Sequence, residues 1–172
     1  MQVELINVFI KAATEVLQSE VGEEASAGSV RVLSSAQTSE EVTVMIGVSG
    51  DVRGMVLLGM SERTAKAIVA RMMGEPCPLF DELAQSGIAE MGNVITGIAT
   101  QGLEAHGLSV TISPPALIVG GPGIMISTIN FRRFVVPLKC GLGDIALHAA
   151  IEVAPQLSTS VRGHHTPAPA TA

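Results

Sequence analysis

Ser86, Glu90, Asn93 and Gly97 stand four, three and four residues apart in the segment SGIAEMGNVITG. On a helix advancing roughly 100° per residue they fall within an arc of about 60°. Ile88, Met91, Ile95 and Ile98 gather on the opposite side, where a core belongs. The hydroxyl, carboxylate and carboxamide thus form a narrow, continuous, outward stripe. Two features set it apart from an ordinary solvated face. Gly97 costs roughly 1 kcal/mol relative to Ala inside a helix, and Gly92 adds a similar penalty. Asn93 is a poor helix former where Glu, Lys or Gln would serve better. A glycine on an outer face leaves a shallow notch that another protein's backbone can approach. Local stability is lost along this stripe, which tends to mark function. Spacing alone gives an ordinary solvated face about even standing.

The stripe belongs to a long helical segment from about Phe80 to Glu104, with Asp81 placed to cap it. Before it, Val3 to about Glu20 sets Leu5, Phe9, Ala12, Ala13, Val16 and Leu17 at helical spacing. Three strand-like stretches follow: Ser29 to Leu33, Glu41 to Val48 and Gly54 to Met60. The last two form a hairpin across Ser49-Gly50-Asp51. Ser61 caps a second helix that Gly74 stops. After the long helix come Leu108 to Ile112, a Pro114-Pro115 break, Ile124 to Ile129, and a hairpin of Asn130–Cys140 with Asp144–Val153. Helix, three strands, helices, three strands predicts an α+β fold with a mostly antiparallel sheet packed against long helices. The two glycine-turned hairpins hint faintly at a duplicated unit. From Pro155 onward the Ser, Thr, Pro and Ala composition predicts a disordered tail, leaving residues 1–154 as the one domain.

SxxxExxNxxxG on a long helix, here Ser86 to Gly97, resembles the motif of the CheC, CheX and FliY chemotaxis phosphatases. EMGNVITG is most similar to the CheX branch, and the order of elements over residues 1 to 154 agrees with that family. Comparison with Lys66 to Met73, which lacks ExxN, leaves a single motif, whereas CheC-like proteins usually carry two. The resemblance implies hydrolysis of the aspartyl phosphate of a CheY-like response regulator. Asn93 would hold the attacking water and Glu90 would pair with the regulator's Lys, with Ser86 and Gly97 in contact and clearance. It implies no cofactor or metal of this chain's own, since Mg²⁺ sits in the receiver's acidic pocket. It also suggests a homodimer. A non-catalytic, FliM-like binding module for a receiver or flagellar switch component is the competing reading, and a soluble α+β domain of unrelated function is the third.

Composition narrows the partners. The 172 residues are 47% hydrophobic and 15% charged, with formal charge −6, four Phe and neither Trp nor Tyr. Without stacking aromatics or clustered bases, nucleic acid is not expected as a partner. No apolar run reaches the roughly 20 residues that span a bilayer, and the N-terminus does not read as a secretory signal. Cys77 and Cys140 are too few for a disulfide framework or a zinc site. These features predict a cytoplasmic protein away from membranes. Gly120-Gly121-Pro122-Gly123 reads as a turn, since no phosphate-loop Lys-Ser or Lys-Thr follows. His106 reads as a helix-end residue, His148 as packed or edge-exposed, and His164-His165 as too short a tract to bind. Asp81-Glu82 suit a helix start, and the methionines are core filling.

Overall fold

Alternating burial along four strands sets the architecture. β4 (Val42–Gly50) turns Val42, Val44, Ile46 and Val48 inward, and β5 (Val52–Met60) turns Val52, Val56, Leu58 and Met60 inward. β9 (Arg133–Cys140) and β10 (Gly143–Val153) repeat the pattern with Phe134, Val136 and Leu138, and with Ile145, Leu147, Ala149 and Ile151. Period-two burial of this kind requires a sheet covered on that face. The computed structural model describes residues 2–33, 36–120, 124–128 and 131–155. The expected tail after Pro155, with His164-His165, and most of the Gly120–Gly123 turn lie outside them.

The remaining elements are α1 (Gln2–Val16) with a widened last turn (Leu17–Val21), β1 (Ser26–Ala27), β2 (Arg31–Leu33), β3 (Ala36–Thr38), α2 (Glu62–Met73), α3 (Glu82–Glu104), β6 (Val110–Ile112), β7 (Ala116–Val119) and β8 (Met125–Ser127). The main sheet is antiparallel, in the order β1-β9-β10-β5-β4-β6, with β2 also on β9 and β7 also on β4. β3 and β8 form a separate two-stranded ribbon. The α+β expectation holds, but the described residues contain ten strands. β1 and β3 are only two and three residues long, and β7 is apolar at all four positions, so none of them shows an alternating period in sequence. The Pro114-Pro115 break separates β6 from β7, yet both lie on one edge. Ser113 bridges them, its Oγ accepting from Gly47 N at 2.9 Å while its N–H donates to Gly47 O.

All three helices lie on the inward face. α1 packs over β9 and β10, α3 over β4, β6 and β7, and the two pack against each other. The hairpins β4–β5 and β9–β10 lie side by side, joined where β5 pairs antiparallel with β10. Each hairpin follows a helix in sequence and is covered by the helix of the other half. Two equivalent halves thus face each other across the sheet centre, giving the faint duplication a topological basis.

Candidate functional site

α3 is anchored from both ends and from beneath. Asp81 Oδ1 accepts from Ala84 N at 3.0 Å, so the expected cap forms. Ala84, Ile88, Met91, Ile95, Ala99 and Leu103 are buried, while Ile98 is only half-buried. At the far end His106 Nδ1 lies 2.7 Å from Gly102 O, the helix-end role expected of it. A long helix fixed this way holds the groups on its outer face at constant spacing.

The stripe emerges on that outer face. Ser86 and Glu90 are exposed, and Asn93 and Gly97 are half-buried beside them. Among the described residues no hydrogen bond or ion pair engages the side chains of Ser86, Glu90 or Asn93. An unbonded carboxylate and carboxamide one turn apart are free to bind a partner's atoms. A Cβ at Gly97 would meet nothing within 4 Å, so no packing inside the chain demands glycine there. Gly92 requires a correction. It is buried, and a Cβ there would lie 2.7 Å from Val44 Cγ1, so its absent side chain lets α3 sit closely on β4. Its helix penalty serves packing and says nothing about the stripe.

Two threonines reach back to these glycines: Thr96 Oγ1 donates to Gly92 O at 2.9 Å and Thr100 Oγ1 to Gly97 O at 2.7 Å. Neither was singled out in the sequence, because side-chain back-bonding has no signature beyond the residue type. Leu83 was also missed. On the same wheel it falls about 20° beyond the Glu90 edge of the stripe, and it is 63% exposed. Periodicity places a residue on a face but does not say why a leucine should be left there.

The single-motif reading also changes. Lys66 to Met73 lies in α2, whereas the counterpart of α3 across the sheet centre is α1. α1 carries Glu4 and Asn7, both exposed and at the same three-residue spacing. Lys11 stands where Gly97's equivalent would be. The long, exposed Lys11 side chain fills the position at which α3 is open.

On the sheet face away from the helices, His148 is buried, so the packed alternative holds. It lines a cavity of about 10 Å³ with Ser39, Thr43, Leu57, Ile126 and Arg133, room for one water. Arg133 Nη2 donates to Ile126 O at 2.8 Å. Burial first, then the positive charges of Arg133 and Arg31, lower His148 to a pKa of about 4. This cluster faces away from the stripe and does not contribute to it. Among the described residues no group of three His, Cys, Asp or Glu could hold a metal ion.

Known proteins are similar to this chain in sequence and in fold. The sequence profile of the family described as chemotaxis phosphatase CheX matches residues 42–139, which include the whole stripe. A Thermotoga maritima protein named CheY-P phosphatase CheX is 31% identical over 158 residues, covering 88% of this chain and 98% of the relative. The CheX chain in the CheX–CheY–BeF3–Mg²⁺ complex of Borrelia burgdorferi superposes with a TM-score of 0.74 at 27% identity, covering 86% of this chain and 97% of that one. The CheX structure from Vibrio vulnificus gives 0.79 at 21% identity, covering 87% and 99%. With a family profile spanning more than half its length and a full-length relative above 30% identity, the chain belongs to the CheX family of chemotaxis phosphatases.

Proposed function

We propose that this chain accelerates hydrolysis of the aspartyl phosphate on a CheY-like receiver, with Asn93 positioning the water and Glu90 docking the receiver. The observation that carries the reading is the pair itself: an exposed carboxylate and a half-buried carboxamide, unbonded and one turn apart on an anchored helix. The T. maritima relative's name and the Borrelia complex support CheY as the partner. A carboxamide carries both donor and acceptor, so Asn93 can orient a water in line with phosphorus. Glu90, about 4.5 Å along the axis, meets the receiver's Lys beside the phosphoryl group. Gly97 gives the receiver's backbone clearance and Ser86 adds a contact. The receiver's own Mg²⁺ neutralises the phosphoryl charge, so this chain needs no cofactor.

The chain is further proposed to act in the cytoplasm as a homodimer, the latter resting on the CheX likeness and on edge strand β2, where Val32 is 61% exposed. No helix among the described residues is long and apolar enough to cross a membrane. Phosphate loss from a phosphorylated CheY-type receiver tests the reading. Wild type shortens the phosphate lifetime, and Asn93→Ala abolishes the effect while retaining binding. If wild type binds the receiver but leaves the lifetime unchanged, the chain is the non-catalytic binding module instead.

A further inference from the structure

The segment leading into α3 displays an apolar side chain in a fixed place. Leu79 is 71% exposed, and the three consecutive carbonyls around it are each engaged by a side chain. Lys66 Nζ lies 3.5 Å from Pro78 O, Cys77 Sγ 3.2 Å from Leu79 O, and Gln85 Nε2 3.0 Å from Phe80 O. Phe80 meanwhile packs against the core. Leu79 is thus held outward by a tethered backbone. Four residues on, in the first turn of α3, Leu83 is 63% exposed and borders the arc of Ser86 and Glu90 on the Glu90 side.

We propose that Leu79 and Leu83 form an apolar anchor for the receiver, seating a nonpolar spot beside its phosphorylation pocket while Glu90 and Asn93 engage the pocket itself. This rests on the reading of the α3 stripe as the docking face. Three observations favour the receiver as occupant. The anchor is continuous with the stripe: Leu83 stands about 10 Å along the axis from Glu90, and Leu83 to Gly97 spans about 21 Å, within the footprint of a standard interface. The surface is predominantly acidic as well as apolar: Gly74 to Ala105 contains Glu75, Asp81, Glu82, Glu90 and Glu104 and no Lys or Arg, and Lys66 of α2, which reaches it at Pro78 O, also lies 3.2 Å from Glu62. A second copy related by a two-fold axis would set acid against acid, whereas a partner presenting a Lys beside an apolar rim is matched. Finally, a preordered loop presents the leucines with little ordering entropy to lose on docking.

The test measures steady-state dephosphorylation of phosphorylated CheY by wild type, the double variant Leu79→Ser/Leu83→Ser, the double variant Leu79→Met/Leu83→Met, and Asn93→Ala. The serine pair raises KM about tenfold with kcat unchanged, and the methionine pair restores KM. Both leucines are exposed, so circular dichroism and melting temperature stay at the wild-type values. The anchor is overturned if Asn93→Ala is inactive while the serine pair keeps the wild-type KM. It is also overturned if the serine pair changes only the sedimentation coefficient, which would assign the leucines to contact between copies. If Asn93→Ala turns over like wild type, the stripe itself was misread and the anchor falls with it.

Discussion

Gly92 and Gly97 lie five residues apart on one helix, and the same substitution separates their roles. Gly97→Ala adds a methyl group into open space and removes a backbone-entropy penalty, so it raises stability by about 1 kcal/mol in urea unfolding. It also fills the notch, so phosphatase KM rises. Gly92→Ala drives a methyl group against Val44 and Leu58 and lowers stability by about 1–3 kcal/mol. Equal effects at the two positions would remove the argument that Gly97 serves a partner. Asn93→Ala should lower kcat about 100-fold or more, because it removes the group holding the water, while Glu90→Ala should act chiefly on KM. Asn7→Ala in α1 should leave turnover unchanged, because Lys11 closes the approach to the Glu4–Asn7 pair. A loss of activity there, measured with the same substrate, would reveal a second working face.

At the scale of elements, α3 has to be both rigid and accessible. Its buried side rests on β4, β6, β7 and α1, and its ends are held by Asp81 and by the turn at His106. Asp81→Ala should cost about 1 kcal/mol of stability, because Ala84 N loses its acceptor at the start of the helix. Since Leu79, Leu83 and Ser86 lie within two turns of that cap, fraying there should also raise KM for the receiver. Ser61→Ala, which removes the equivalent cap from α2, should produce a similar stability loss without the kinetic effect. Thermal unfolding and steady-state kinetics on the two variants check the pair. The caps and helix stops were legible in the sequence because they depend on residues within a turn of each other. β1, β3 and β7 were not, since each exists only through its partner: β3 through β8, β7 through β4, and β1 through β9.

The whole molecule divides its two sheet faces between different tasks. The inner face carries the main core and, through α3, the docking surface; the outer face holds the buried His148 cluster. His148 has a folded pKa of about 4 against an ordinary value of 6.5. Its neutral form is therefore the folded one, and the unfolded chain binds the extra proton between those values. Stability is full above about pH 6.5 and declines as pH falls toward 4, by about 2 kcal/mol between pH 7.5 and 5. Urea titrations at those two pH values should show this slope in wild type and a clearly shallower one in His148→Gln. An unchanged slope would mean that other groups govern the acid sensitivity. Arg133, Arg31 and Glu40 surround the histidine and remain in the variant.

Local order was enough to determine the helices, their caps, the two long hairpins and the stripe of Ser86, Glu90, Asn93 and Gly97. Each follows from periodicity or from contacts within a few residues, which a single chain displays directly. The joining of β5 to β10, the pairing of α1 with α3 as counterparts, and the different purposes of Gly92 and Gly97 were decided only by the tertiary structure. So was the display of Leu79 and Leu83. Helical phase tells which direction a residue faces; whether a strand, another helix or solvent lies in that direction depends on segments distant in sequence, and only the packed fold brings them there.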